Sequence, residues 1–599
     1  MKKVKLIVVT LALIAALVLA ITGCYVNGDD NGGKYPAAYA VTIAPRPRGV
    51  LSFSVINAGQ EVVSGAQIVA GEQLTITWTT QGGYAAVLHI NGQLASATSP
   101  HVATVTEAMH IEVVVTQRPY VLIQSAQDFA KIGENLDGTF KLAANLTLDN
   151  WTPVGTFAEP FTGVFFTSLD VSGNPEFVIT RLSINSVVRE EIAPATGRYT
   201  AGLFGVSSGE IENIVIKELN INITVNTVTT ADRTLAGGIV GENSGTIRGS
   251  RVVDGTVAVH NAQGGTRAGM IAGRVIGTIG GEPAFVLNSI AESGEIFIFG
   301  AGGSGSRAGG LVGQLEGGGR IYRSAAHVNV EASSSGTQNI QAGGLVGHIT
   351  RGGSIFESIA TGTAFSETTG GATIYAGGLT GNIDHEDELA PSGLASDFRW
   401  TVEIINNIAA GNAIGRSVGP VGNVYVSALL ARIDDSGATA SNTTVRGNFT
   451  TGDAVIEREG TLTSQNLYVA GIVSRIQTHT DSTVSIVDNF VTGNVAIMHE
   501  GVEFLGNLGG NAFAGRIVAR HQNNGQRAIE NNFAYEGMTV AGFITTHAAQ
   551  REDLTLTSVT DTSMTNLKSA AWQRQTLNWS ETTWRFTDGY FPQLVWATV

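Results

Sequence analysis

The chain of 599 residues holds one cysteine, Cys24, so an intramolecular disulfide is excluded. Charge is scarce at 14% of residues, and 35 Lys and Arg against 50 Asp and Glu give a formal net charge of −15. That balance argues against nucleic acid and anionic lipid as partners, because both need a basic face. Aromatic residues make up only 7% of the chain, which weighs against a sugar-cleaving enzyme with stacking rings clustered on one surface. Eleven histidines stand at 89, 101, 110, 260, 327, 348, 385, 479, 499, 521 and 547, and no two are four apart. The zinc-peptidase helix, which needs two His at that spacing with a Glu between them, is missing from the sequence. With 43% hydrophobic residues and modest charge, the chain is not a disordered tail.

Glycine is plentiful at 76 residues, and much of it falls in one returning phrase. The phrase reads Ala201-Gly-Leu-Phe-Gly205, Ala236-Gly-Gly-Ile-Val-Gly241, Ala268-Gly-Met-Ile-Ala-Gly273, Ala308-Gly-Gly-Leu-Val-Gly313, Ala342-Gly-Gly-Leu-Val-Gly347 and Ala376-Gly-Gly-Leu-Thr-Gly381. The starts lie 35, 32, 40, 34 and 34 residues apart. Such a period marks stacked repeats, in which neighbours bury an apolar face that no unit can bury alone. A second segment follows each phrase and persists after the phrase erodes beyond residue 390, as in Ile404-Ile-Asn-Asn-Ile-Ala409, Val445-Arg-Gly-Asn-Phe-Thr450 and Ile486-Val-Asp-Asn-Phe-Val491. Eroded phrases are read at Ala470-Gly-Ile-Val473, Ala514-Gly-Arg-Ile517 and Ala541-Gly-Phe-Ile544, giving about ten units.

The expected fold is all-β, a β-solenoid of the parallel β-helix kind, with propeller blades as the structural alternative. Inward Leu, Ile and Val would form continuous columns, each side chain contributing about 1.5–3 kcal/mol when fully buried. Glycine would supply positive φ at corners and room for close backbone approach. Asn288, Asn406, Asn448, Asn489 and Asn532 are read as one position, whose stacked amides would bond along the axis.

At the N-terminus, Lys2, Lys3 and Lys5 precede the uncharged apolar run 6–21, the layout of a secretory signal peptide. Ile21-Thr-Gly-Cys24 closes it and resembles the lipobox of bacterial lipoproteins, although Leu and Ala or Ser are commoner where Ile21 and Thr22 stand. The resemblance implies a mature chain beginning at Cys24, acylated there (palmitate included) and held to the membrane by those chains. An uncleaved N-terminal anchor is the alternative. Residues 24–40 read as a flexible tether, and Tyr25 after the lipidated cysteine implies the outer membrane if the envelope is Gram-negative.

Residues 41–118 hold short β-rich runs punctuated by glycine, with Asn91-Gly92 as a hairpin signal, and predict an all-β module of five or six strands. The order Ser64-Gly65, Val69-Ala-Gly71, Leu74-Thr-Ile76, Gly83-Tyr84 and Asn91-Gly92 is similar to the internalin-B-type repeat modules of bacterial surface proteins, where the module commonly acts as a spacer. Residues 119–200 would form a helix over 125–135, capped by Ser125, and a β-rich lead-in to the solenoid. Trp151-Thr-Pro-Val-Gly155, Phe161-Thr-Gly163, the glycine phrases over 201–550 and the closing segment within 551–599, with Trp579, Trp584 and Pro592, together resemble the GLUG-motif repeat family of bacterial surface proteins. The family's Asp-Gly is missing at Val164-Phe-Phe-Thr167. Residues 551–599 are expected to cap the solenoid.

The search for chemistry yields no catalytic residue, cofactor site or metal site. His385-Glu-Asp-Glu388 reads as a solvated loop, and His499-Glu-Gly-Val-Glu503 lacks the second His. Gly300-Ala-Gly-Gly-Ser-Gly305 matches a dinucleotide pattern by count alone, without a helix to follow. Asp254 and the pair Asp434-Asp435 are carboxylates on a β-helix surface, read as turn residues. The sequence therefore points to a non-enzymatic, lipid-anchored cell-surface protein that presents a solenoid for adhesion to a protein or glycan ligand. A glycan-active β-helix and a purely structural envelope spacer are the competing readings.

Overall fold

The computed structural model describes residues 37–598 except 48, 81–82, 194–195, 226–228, 279–281, 301–304, 386–397, 419–421, 436–439, 460–465, 504–510, 523–525, 541–558 and 578. Cys24, the expected signal peptide, most of the tether and the phrase at 541–544 lie outside the described residues. The chain divides into two units, residues 1–80 with 85–116, and residues 81–84 with 117–599.

The first unit is all-β, with a five-stranded and a four-stranded sheet, more strands than the sequence suggests. Alternation builds it: along Gln73–Thr80, Leu74, Ile76 and Trp78 are buried while Gln73 and Thr75 are exposed. Asn91 and Gly92 take φ of 51° and 74°, which joins Tyr84–Ile90 to Gln93–Ser96 as an antiparallel hairpin.

In the second unit the strands pair between turns of the chain, which makes it a parallel β-helix. Over residues 233–261 one turn consists of Arg233–Gly237, Val240–Asn243, Thr246–Arg248, Arg251–Val252 and Gly255–Asn261. Each strand pairs in parallel with its counterpart one turn on, Ala236 with Ala268, Val240 with Ala272, Ile247 with Val286 and Val257 with Ile296. The resulting sheets are called face A (ten strands), face B (nine), face C (twelve) and face D, where the last two strands of every turn share 21 strands. Ile211, Ile247, Val286, Ile321, Ile355, Ile404, Val445 and Ile486 form one fully buried column on face C, β-branched throughout as the pleated surface favours.

Short helices frame the solenoid. Ser125 caps Ala126–Ala130 by accepting the Asp128 N–H, and a 3-10 turn continues over Lys131–Glu134, so the expected helix is shorter and tighter than predicted. At the other end Val559–Thr562 adds one strand to face D, and the segment after it runs along the flank. There Leu567, Leu577, Trp579, Trp584 and Phe586 pack on the outward column Phe449, Phe490 and Phe533, and Trp596 Nε1–H donates to the Glu357 carbonyl at 2.7 Å.

The corner between faces C and D carries two columns. Asn213, Gly249, Asn288, Arg323, Glu357, Asn406, Gly447, Asp488 and Asn531 all have positive φ there. After Asn213 comes the apolar Ile214, and in every later turn the next residue is a buried hydrogen-bonding side chain: Ser250, Ser289, Ser324 and Ser358, then Asn407, Asn448, Asn489 and Asn532. Each accepts the backbone N–H of its counterpart one turn earlier, as in Ser324 N–H to Ser358 Oγ at 3.2 Å and Asn448 N–H to Asn489 Oδ1 at 3.1 Å. The amides also bond directly, Nδ2 of Asn448 to Oδ1 of Asn489 at 2.9 Å. The expected asparagine ladder thus exists from Asn407 onward, and two assigned members are corrected. Asn288 and Asn406 stand one residue earlier, in the positive-φ column that asparagine tolerates.

The phrase glycines are needed for space. None of those in the six quoted phrases has positive φ; a Cβ on Gly344 would lie 2.0 Å from the Gly378 carbonyl oxygen, and one on Gly313 would lie 2.5 Å from the Ala268 nitrogen. The register also corrects one eroded phrase. Val469 occupies the alanine position, and Ala470 pairs with Ser427, which pairs with Gly377.

Asn448→Ala is expected to cost about 3 kcal/mol, because it strips the acceptor from the Asn407 N–H and Nδ2 and the donor from the Ile404 carbonyl. Asn448→Ser, the residue that earlier turns use, is expected to cost about half as much. Urea unfolding of the two variants measures the difference, and equal losses would remove the ladder as the cause.

Candidate functional site

Faces A and B fold back on one another at the glycine phrase, so their outward side chains meet in a cleft. Gly313 shows why: with no side chain, it admits the face A backbone of the preceding turn at Arg267 and Ala268. Two positions line the cleft, the residue before the phrase alanine on face A and the residue after the last phrase glycine on face B. On face A the pairing runs Thr200, Leu235, Arg267, Arg307, Gln341, Tyr375, Tyr425, Tyr468, Phe513. On face B the corresponding residues include Glu242, Arg274, Gln314, His348 and Asn382, then Arg432, Arg475 and Arg520.

The early turns make this cleft ionic. Arg274 bridges two carboxylates, Nη1 to Glu242 Oε2 at 2.8 Å and Nη2 to Glu316 Oε2 at 2.6 Å. Gln314 joins the two faces: its Oε1 accepts from Arg267 Nε and from Arg307 Nη1, and its Nε2 donates to Glu316 at 2.7 Å. Burial works to raise the Glu316 pKa, but Arg274, Arg351 and Arg307 outweigh it and hold the carboxyl below its ordinary range. Arg198 moves the other way, its pKa lowered by burial and then by the Arg274 charge. These groups surround a cavity of about 270 Å³, lined by Arg198, Arg233, Arg267, Arg274, Arg307 and Arg351 together with Gln314, Glu316 and Thr350.

The late turns make it aromatic. Tyr375, Tyr425, Tyr468 and Phe513 stack with centroids 4.9–5.0 Å apart and planes within 12°. An arginine from face B crosses to each ring: Arg432 donates to the Tyr375 hydroxyl, Arg475 to that of Tyr425 and Arg520 to that of Tyr468, at 3.2, 2.7 and 3.2 Å. The same guanidiniums lie over the rings one turn on, Arg432 over Tyr425 at 5.2 Å, Arg475 over Tyr468 at 5.3 Å and Arg520 over Phe513 at 4.5 Å. Burial pushes the Tyr375 phenol further above its ordinary value.

Between the two halves the cleft is closed. His348 is fully buried, and both its ring nitrogens, like both amide atoms of Asn382, lack a protein partner. Burial, then Arg307 and Arg267, hold His348 well below the ordinary histidine range. His385, predicted to be solvated, is corrected to buried at 3% exposure; its ring stacks at 16° on Trp400, and burial lowers its pKa to about 4.

On face D, Glu295, Phe297, Glu331 and Phe365 surround an outer hollow of about 400 Å³, so aromatics and carboxylates do share one surface despite their low overall count. Asp254 is an exposed turn residue with φ of 54°, but Asp434 and Asp435 are corrected to strand residues of Leu430–Asp435, Asp435 fully buried. His499 ends the strand Val495–His499, and Glu500 and Gly501 turn with positive φ, leaving no helix for a zinc motif. Residues 301–304 of the dinucleotide-like pattern lie outside the described residues. Among the described residues, no three His, Cys, Asp or Glu side chains come together as a metal site, and no helix is long and apolar enough to cross a membrane. No family model matches this sequence, and comparison with curated proteins returns no match.

Sequence reasoning missed the cleft, although its signal was within reach. The two positions flanking each glycine phrase, aligned by the phrase itself, spell out both columns, including the turn Tyr425-Val-Ser-Ala-Leu-Leu-Ala-Arg432, in which no glycine survives.

His385 binds its proton more weakly folded than unfolded, so between about pH 6.5 and 4 the unfolded chain takes up a proton that the folded chain refuses. Stability is expected to fall as pH drops through that window, by on the order of 3 kcal/mol from this residue. His385→Gln should flatten the urea midpoint against pH there, and an unchanged slope would show that His385 titrates normally.

Proposed function

We propose that this chain is an exported, lipid-anchored surface protein whose parallel β-helix binds a ligand outside the cell, on host tissue, matrix or a neighbouring cell. The observation that carries this reading is the A–B cleft, whose early turns open in an arginine-lined cavity and so offer a polar binding site on the repeat scaffold. The glycine phrases and the Cys24 lipobox resemble those of surface lipoproteins and support display at the cell surface, in the outer membrane of a Gram-negative envelope. Acylation of Cys24 is expected to be measurable as incorporation of labelled palmitate, lost in Cys24→Ala. Detergent-solubilised full chain, applied to glycan and matrix-protein arrays, is expected to bind a discrete subset. Absence of label and of any bound ligand would overturn the reading.

A second reading, a glycan-active β-helix, draws support from the face D hollow with Glu295 and Glu331 beside Phe297 and Phe365. Release of reducing ends from polysaccharides by the wild type, abolished in Glu331→Gln, would establish it in place of simple binding.

A further inference from the structure

We propose that the arginine-lined cavity in the early turns of the cleft binds an anionic saccharide through its sulfate or carboxylate groups. The charge count carries the proposal. Six arginines from five successive turns face the cavity, whereas the carboxylates bonded to them among the described residues are Glu242 and Glu316, an excess of four positive charges there in a protein of net charge −15. The next carboxylate, Asp232, is taken by both prongs of Arg189 at 2.9 and 3.0 Å and brings its own cation, so the excess stands.

Burial makes that excess matter. Arg267 and Arg307 are 3% and 5% exposed, so an anion in the cavity would meet their charges with little water to screen them. Like charges stacked at the spacing of β-strands repel, and an anion between them reverses the sign of that energy. The guanidinium fork suits sulfate and carboxylate, which accept two parallel N–H bonds. Thr350, 4% exposed, contributes a hydroxyl oxygen without a protein partner to the cavity wall. Burial and Arg274 already depress the Arg198 pKa, a cost that a bound anion would offset.

Size narrows the ligand. A volume of about 270 Å³ corresponds to about nine waters and falls at the lower end for organic ligands, enough for one charged sugar unit. Arg198, Arg233, Arg274 and Arg351 remain partly exposed, which leaves the cavity open for a longer chain to continue into solvent. The inference rests on the surface-binding reading only for the source of the anion; the cavity chemistry stands without it.

Isothermal titration of the detergent-solubilised full chain at matched ionic strength tests the site, with a sulfated disaccharide and inorganic sulfate as separate probes. Saturable disaccharide binding is expected, weakened at least about tenfold by Arg198→Gln and by Arg233→Gln, both on the open rim. Arg181→Gln, whose partner Asp149 lies on another surface, is expected to leave it unchanged. Sulfate bound as tightly as the disaccharide would support the site and assign it to the free ion. No saturable binding of either probe up to about 10 mM, or binding indifferent to both rim variants, would overturn the proposal. Variants that retain the wild-type urea midpoint keep a binding loss from being a folding loss, and a negative titration leaves the palmitate and array results untouched.

Discussion

In-register parallel stacking governs the β-helix of the second unit. Each side chain has the same position of the neighbouring turn about 4.8 Å above and below it, so every column must be compatible with itself. Apolar columns meet that condition without effort, as the Ile and Val of face C show. Amides and hydroxyls meet it because each is both donor and acceptor, and Ser250 through Asn532 turn this into an unbroken internal chain of hydrogen bonds. Rings meet it by stacking. Charges do not, and where they occur in the cleft opposite charges from neighbouring turns must answer them, as Glu242 and Glu316 on face B answer Arg274.

The same spacing explains the glycine phrase and its decay. Where the last phrase glycine is kept, at Gly313, Gly347 and Gly381, the backbones of successive turns approach too closely for a β-carbon. In the later turns that position becomes Ala431, Ser474 and Ala519, and the facing column has become Tyr425, Tyr468 and Phe513. Ala431 and Ala519 belong to one buried cluster with those rings. Erosion of the phrase is thus a change of filler: backbone contact gives way to a methyl packed against an aromatic face.

Period and glycine content made the parallel β-helix legible in the sequence, since both follow from stacking itself. The position of the amide ladder was half legible. Asn406-Asn407 presents two asparagines side by side, and only backbone geometry decides that the first turns the chain while the second bonds along the axis. The serines that continue the ladder through Ser250 to Ser358 carry no such signal, because serine is common in loops. The cleft was illegible for another reason. Its arginines stand 33 to 44 residues apart, except Arg267 and Arg274 at seven, and no linear motif joins Arg198, Arg233, Arg267, Arg307 and Arg351 until the register is known. His385 misled because its charged sequence neighbours predict a solvated loop, whereas the ring packs inward on Trp400.

The two halves of the cleft bear on what the arginines are for. At the same face A position other turns carry Thr200, Leu235 and Gln341, so the fold accepts a neutral side chain there and does not require Arg267 or Arg307. In the late turns each arginine is absorbed by protein groups, a tyrosine hydroxyl at one end and a ring face below. In the early turns the arginines lining the cavity outnumber the carboxylates beside them among the described residues, and they converge on open volume instead of on rings. A scaffold under selection for stability alone would favour neutral residues at such a place, because buried like charges oppose folding. The excess charge is therefore better explained by something that arrives from outside the chain than by anything the chain itself needs.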